Sequence, residues 1–265
     1  YLNIFEQKGL TTFESFMNYS EGGFKYKKNS FREVIKFDFP SCPSLFFKRH
    51  FSPGKSSMLS LLTFSLPKSA AKKEAEASSI MKENGINTIK PVAFGELPSL
   101  FWEKASFLVT EEVPGVKLER YIVENANKYK KDVEFKHKLI DEIAKVTRIM
   151  HTNNIHHRDF YLSHIVLDFI SEKDFRIWII DLQRVCQRRK LSDRWKLKDL
   201  SAINYSCPKE TVTIVDRIRF FHKYLDMEKI PNEYKSWIKW IVQKNKKIAR
   251  HEEKKRMRKK MKNLK

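Results

Sequence analysis

Two hydrophobic rhythms run along this chain. In the first half, apolar and polar positions alternate as in half-buried strands. Residues 31–39 (FREVIKFDF) have the β-branched and aromatic content of a strand, which Pro40 and Pro43 break. Residues 45–51 (LFFKRHF) read as the partner strand, and residues 91–95 and 105–110 as two more. A small antiparallel sheet is expected from these. Between the pairs, residues 69–84 predict a helix: Ser69 can cap it, Ala and Glu are frequent, and Gly85 stops it. Residues 1–20 form a partly apolar lead-in, and Glu21-Gly22-Gly23-Phe24 marks a turn. Glu111-Glu112-Val113-Pro114-Gly115 follows neither rhythm and reads as a linker between two lobes.

The second half is mainly helical. Over residues 133–152 the apolar positions Phe135, Leu139, Ile143, Val146 and Ile149/Met150 make one buried face. Residues 165–167 and 177–180 are short apolar strands, expected to pair as a hairpin. Residues 195–205 predict another helix, with Pro208 after it. Residues 212–225 predict an amphipathic one with Val215, Ile218, Phe221 and Leu225 on its apolar face. Residues 237–265 begin apolar, with Trp237 and Trp240 suited to an interface, and become strongly basic. No repeat recurs at solenoid spacing.

Composition narrows the class. The 265 residues are 41% hydrophobic and 13% aromatic, with 20 Phe, which is globular and not disordered. Only 7 Gly are present, so a glycine-rich nucleotide loop is at best reduced to Gly22-Gly23. Cys42, Cys186 and Cys207 are odd in number and lack metal spacing, which suits a reducing compartment. The net charge is +21. Residues 241–265 hold twelve Lys/Arg against Glu252 and Glu253, so the tail carries +10 and the rest +11. An anionic partner is expected: a membrane surface, a phosphorylated substrate or nucleic acid. Nucleic acid ranks last, because no basic motif interleaved with aromatic residues is present. No apolar run reaches the ~18 residues needed to span a bilayer. No secretory signal is seen, and since Tyr1 is not an initiator Met, a segment ahead of it stays open.

The chemistry-bearing stretch is His156-His157-Arg158-Asp159-Phe160-Tyr161-Leu162-Ser163-His164, followed by Ile177-Trp178-Ile179-Ile180-Asp181. One acid follows a helix, and a second ends a buried strand. Together with a strand Lys (Lys48) and a helix Glu upstream, this is the order of elements in the protein-kinase fold. A Lys can neutralise nucleotide phosphates if a helix Glu holds it in place. One Asp can accept the proton of an attacking hydroxyl. The other can hold Mg²⁺, a hard cation that takes oxygen ligands. Asp168 reads as a strand-ending turn residue. His156 and His157 are adjacent, so they should point apart, and neither has zinc-site spacing.

Over residues 20–225 the sequence resembles the lipopolysaccharide core kinases, the heptose-kinase and Kdo-kinase group with a protein-kinase-like fold. The likeness is carried by His157-Arg158-Asp159-Phe160-Tyr161-Leu162-Ser163-His164, Ile180-Asp181-Leu182-Gln183-Arg184 and Phe47-Lys48-Arg49-His50. Residues 85–95, 195–200 and 216–220 add to it. The form of the catalytic stretch is nearer the heptose kinases. The resemblance implies an α+β, bilobal kinase fold with residues 1–110 as the N-lobe, 111–240 as the C-lobe and 241–265 as a basic tail. It implies an enzyme that uses ATP and Mg²⁺ to phosphorylate a sugar hydroxyl, expected to be a heptose 4-hydroxyl, of the lipopolysaccharide inner core. It would be cytoplasmic and peripheral on the inner membrane, with the tail on the anionic leaflet.

By position, the resemblance implies Asp159 as catalytic base, Asp181 as metal ligand, Lys48 as phosphate-binding lysine and Glu74 as its partner, with Glu76 left open. Residues 110–113 would be the adenine hinge, using backbone groups of Glu111 and Val113. Asp199 would support the catalytic loop. His164 stands where protein kinases carry a second metal ligand, Asn. Its role is open between a metal ligand and a packed histidine, because imidazole suits Mg²⁺ poorly. Leu182-Gln183 replaces the usual Phe-Gly, so regulation by a phenylalanine flip is not expected. The alternatives are a pseudokinase that binds glycolipid or protein, a nucleic-acid binder working through the tail, and a protein kinase.

Overall fold

The computed structural model describes residues 1–29, 31–51, 68–98, 103–172 and 174–263. The chain divides into two compact units: Tyr1–Pro114 with Ile180–Arg184, and Gly115–Ile179 with Val185–Lys265. The first is built on a sheet, the second mainly on helices, as an α+β chain should be.

In the first unit, α1 (Leu2–Gln7) and α2 (Phe13–Asn18) precede β1 (Phe24–Asn29), β2 (Arg32–Phe37) and β3 (Leu45–Phe51). Helix α3 (Ala70–Glu83) follows, then β4 (Pro91–Pro98) and β5 (Glu103–Glu111). The strands form one antiparallel sheet in the order β1-β2-β3-β5-β4. Strand β3 pairs on both sides, Lys48 lying opposite Val34 and Leu108. Its alternation divides the chemistry. Leu45, Phe47 and Arg49 share one face, while Phe46 and Lys48 share the other. Phe47 joins Phe5, Phe16, Phe37 and Phe107 in an aromatic core, with Phe16 and Phe107 stacked at 4.5 Å. The lead-in of residues 1–20 is thus two short helices that add Phe5, Phe16 and Met17 to that core, and Thr12 caps α2 with a reciprocal box to Ser15.

Two expectations shift here. Gly22-Gly23 lies ahead of β1, not between β1 and β2. The β1–β2 connection is closed by Asn29, whose side-chain oxygen accepts from the amides of Phe31 and Arg32. The break between units falls at Pro114/Gly115 and not at 110/111. Strand β5 extends through Glu111, and the Glu112 amide donates to Ser44 O (2.8 Å), which keeps both residues with the sheet.

The second unit begins with β6 (Val116–Lys117), α4 (Leu118–Glu124), α5 (Ala126–Lys131) and α6 (Val133–Thr152), whose buried face includes Leu139, Ile143, Val146 and Met150. Then come β7 (Ile155–His156), a 3₁₀ turn at Leu162–His164, β8 (Ile165–Phe169), β9 (Phe175–Ile179) and β10 (Cys186–Gln187). Strands β8 and β9 form the expected hairpin, with β6 on its edge, and β10 pairs with β7. Helices α7 (Asp193–Ser206), α8 (Ile214–Leu225) and α9 (Lys235–Asn263) complete the unit.

Helix α8 does not bury the predicted stripe. Val215 and Ile218 are exposed, while Phe221, Tyr224 and Asp216 are buried. The reason is polar. The Asp216 carboxylate caps its own helix through Thr213 and pairs with Lys136 of α6 at 3.1 Å, which fixes the helix's rotation. Trp237 and Trp240 are half-buried and pack against the core of Leu197, Leu200, Phe221 and Tyr224. The expected tail is no separate piece. Helix α9 continues from Lys235 to Asn263, and residues 264–265 lie outside the described residues. An apolar cavity of about 340 Å³ lies within this unit, lined by Leu118, Ile122, Ile143, Leu200, Ile203 and Phe221 among others.

Gly115 opens the unit at φ +105°, and a Cβ there would stand 2.2 Å from the carbonyl oxygen of Leu167. Gly115→Ala should therefore lower stability by about 1–3 kcal/mol, read as a reduced urea midpoint.

Candidate active site

In the first unit, Lys48 and Glu74 meet. The Lys48 ammonium donates to Glu74 Oε1 at 2.5 Å, with the lysine side chain 11% exposed and the glutamate fully buried. Glu76, the other candidate, pairs instead with Lys68 on the exposed side of α3. The strand's alternation sends Arg49 the opposite way, where it donates to the carbonyls of Phe16 and Tyr19 and pairs with Glu33. Burial lowers the Arg49 pKa, and Glu33 opposes that shift. The second oxygen of Glu74 is buried and has no hydrogen-bond partner among the described residues, so this carboxylate retains accepting capacity.

Asp181 belongs to the same unit, at φ +61°, and leads into a 3₁₀ turn at Leu182–Arg184 that packs on α3. Its carboxylate is the type of donor that Mg²⁺ takes. Among the described residues no cluster of three or more His, Cys, Asp or Glu is placed to hold a metal. At the linker, the Glu111 side chain is occupied by Lys90 and Tyr1. Burial would raise its pKa, but those two hydrogen bonds outweigh it and hold the carboxyl below its usual range. The Val113 amide makes no hydrogen bond among the described residues.

In the second unit, Asp159 follows a left-handed residue, Arg158 at φ +71°. A non-glycine residue in this region needs outside support. Asp199 on α7 provides it. Its buried carboxylate accepts from the His157 amide (2.7 Å) and the Arg158 amide (2.8 Å). His151 of α6 approaches the same carboxylate at 3.5 Å and is bonded on its other side to the Tyr224 hydroxyl. Burial would raise the Asp199 pKa, but these donors outweigh it and hold the carboxyl below its ordinary value.

Past Asp159, the loop closes on itself. The Tyr161 amide donates to Asp159 O, and the His164 amide to Tyr161 O. His164 Nδ1 lies 2.7 Å from the carbonyl of Asp159, a contact that places the ring proton on Nδ1. A metal would therefore meet His164 only through Nε2. Leu162 N donates to Ser206 Oγ, which ties the loop to the end of α7. Asp168 lies in the β8–β9 hairpin and accepts from the Trp178 indole at 3.3 Å.

His156 and His157 do point apart. His157 faces Phe160 and His164, whereas His156 packs on Trp195 at 4.6 Å. Arg188 donates from Nε to His156 Nε2 at 3.1 Å, so the ring is neutral, with its proton on Nδ1. Burial pushes the His156 pKa down to about 4. Asp199 opposes the shift, and the nearby Arg188 and Arg158 add to it. Sequence reasoning missed the role of Arg188 and Trp195. The signal was the basic run Arg188-Arg189-Lys190, which the β10–β7 pairing carries to His156.

Comparison with known proteins points one way. The family described as "Lipopolysaccharide kinase (Kdo/WaaP) family" matches residues 55–224. The chain is similar to the lipopolysaccharide core heptose(I) kinase WaaP of Pseudomonas aeruginosa, at 32% identity over 194 residues, covering 71% of this chain and 72% of that protein. It is similar to the protein of the same name from Escherichia coli K12, at 33% over 201 residues, covering 74% and 75%. A solved structure, "WaaP in complex with acyl carrier protein", matches with a TM-score of 0.72 and 25% identity, over 92% of this chain and 95% of that one.

Two measurements test the loop's supports. Asp199→Ala strips the acceptor from two buried amides, so it should cost about 3 kcal/mol in urea unfolding. An unchanged midpoint would show that the turn does not depend on this carboxylate. His156 releases its proton more readily when folded, so between about pH 6.5 and 4 the unfolded chain binds more protons, and stability should fall as pH drops through that window. The expected loss is about 3 kcal/mol. In His156→Gln, unfolding curves taken across this range should lose that part of the slope.

Proposed function

Because this chain belongs to the lipopolysaccharide kinase (Kdo/WaaP) family, we propose a division of labour among its residues for phosphorylating heptose in the lipopolysaccharide core. The chain is an ATP-dependent phosphotransferase whose acceptor is a sugar hydroxyl of that core. Asp159 orients the heptose hydroxyl and accepts its proton as the oxygen bonds to the γ-phosphorus and the bond to the leaving ADP breaks. The Lys48 ammonium, held by Glu74, offsets charge on the phosphates. Asp181 would hold Mg²⁺ through carboxylate oxygen, and the ion would neutralise charge on the nucleotide. Backbone groups of Glu111 and Val113 receive adenine. His164 braces the carbonyl of Asp159, and we assign the metal to Asp181 without it, since oxygen suits Mg²⁺ better than imidazole does. The heptose 4-hydroxyl is the acceptor we infer.

The observation that most supports this reading is the buried Lys48–Glu74 pair. A lysine whose charge is not needed for a ligand costs desolvation, and ion pairing offsets only part of that cost.

We also place the protein on the cytoplasmic face of the inner membrane. No helix among the described residues is long and apolar enough to cross a bilayer. The support is the basic end of α9, where each Lys or Arg near an anionic surface contributes about 1 kcal/mol before screening. Acyl carrier protein, the partner named for the solved relative, is a second partner to test. The apolar cavity in the second unit favours it, being large enough for part of an acyl chain.

Incubation of core oligosaccharide with Mg-ATP should add one phosphate by mass, on heptose. Asp159→Asn should lower kcat by about 10²–10⁴-fold, and turnover equal to wild type would sink the assignment. Anionic phosphatidylglycerol vesicles should sediment the protein, whereas phosphatidylcholine vesicles should not, and about 0.5 M salt should release it.

A further inference from the structure

Strand β3 is buried at every second position. Leu45, Phe47 and Arg49 are buried, while Phe46, Lys48 and His50 are half-buried on the opposite face. Phe47 belongs to the aromatic core with Phe5, Phe16, Phe37 and Phe107, and Phe46 lies outside it. A large ring thus stands on the side that carries Lys48, away from the core that would bury it.

The surroundings of this ring are fixed. Across the sheet Phe46 pairs with Lys36 of β2 on one side and Thr110 of β5 on the other. The Lys36 ammonium donates to both carboxylate oxygens of Glu112, at 2.9 and 2.7 Å, and lies 6.0 Å from the centre of the Phe46 ring. Tyr26 of β1 meets the same ring at 5.7 Å, with the two planes at 81°. Glu112 belongs to the linker, and its amide donates to Ser44 O just ahead of β3, while Leu45 pairs with Glu111. Phe46 therefore sits at the linker end of β3. Its cross-strand neighbour is tied to the linker by an ion pair. Lys48 is the next residue on the same face, about 7 Å further along the strand. One strand face thus offers linker backbone, then an aromatic ring, then a cation held by Glu74. A nucleotide laid along it would place its base, ribose and phosphates in that order. Aromatic rings take bases face to face, because every base has a π face.

We propose that Phe46 is the stacking platform for the nucleobase of ATP, and that the ion pair of Lys36 with Glu112 positions this platform against the linker. The inference rests on the reading of Lys48 as the phosphate cation and of residues 111–113 as the adenine-binding segment, and it deepens that reading. Phe46 sets the preference for a nucleotide over a bare polyphosphate. Lys36 acts through Glu112 and the ring, so it is a positioning residue.

The test is calorimetric titration of the full chain, with Mg²⁺ present, against ATP and against inorganic tripolyphosphate, which carries phosphates without a base. Wild type should bind ATP at least about tenfold more tightly than tripolyphosphate. Equal affinities would overturn the platform whatever the variants do. Phe46→Leu keeps apolar bulk and removes the π face. It should weaken ATP binding by about tenfold and leave tripolyphosphate affinity unchanged. Phe46→Trp, which keeps a π face, should bind ATP as wild type does. ATP affinity that is unchanged or increased in Phe46→Leu overturns the platform, as does an equal loss on both ligands. In turnover, Lys36→Met should raise KM for ATP by about threefold at unchanged kcat, and Lys36→Arg, which can keep the pair with Glu112, should restore it. An unchanged KM in Lys36→Met overturns the positioning role. If Lys48→Gln binds tripolyphosphate like wild type, the phosphate reading fails, while the comparison of the two ligands at Phe46 still decides the platform.

Discussion

The buried carboxylate of Asp199 is the interaction on which the turn before Asp159 depends. Asp159 follows a residue in the left-handed region, and arginine reaches that region only under constraint. Two amides pinned by one carboxylate supply the constraint. The same acid receives His151, which Tyr224 orients, so helices α6, α7 and α8 all meet at this point. A buried charge is tolerated there because every approaching group donates. The turn is thus set by helix packing, and its chemistry is delivered by a loop that could not hold the shape alone.

A second constraint is the two-residue period of β3. It places Lys48 and Arg49, neighbours in the chain, on opposite sides of a sheet. Arg49 ties α2 to the sheet through two backbone carbonyls, while Lys48 meets Glu74. One cation is structural and the other is available to a ligand, although sequence proximity would suggest similar roles. The same separation recurs at His156 and His157, where one ring packs on Trp195 and the other on His164.

Much of the fold was legible in the chain. Strand β3, helix α3 with its Ser69 cap, and helix α6 lie where periodicity and capping place them, because each combines a clear rhythm with a local stop signal. The first two helices and the face of α8 were not legible. Short helices carry too little periodicity to register. On α8, the apolar stripe through Val215 and Ile218 lost to a buried ion pair, Lys136–Asp216, whose partner is 80 residues away.

By itself, the sequence determined the family, the order of the elements and the strand that carries Lys48, since these depend on residue type and spacing along the chain. Only the tertiary structure decided that Glu74 and not Glu76 holds Lys48, that His164 turns Nδ1 to its own loop, and that Arg158, Arg188 and Arg194 converge on Trp195. The reason is physical. Which of two helix carboxylates reaches a lysine is set by the helix's rotation against the sheet. Which cations share an indole is set by strand pairing across distant segments. Neither quantity is written in local spacing.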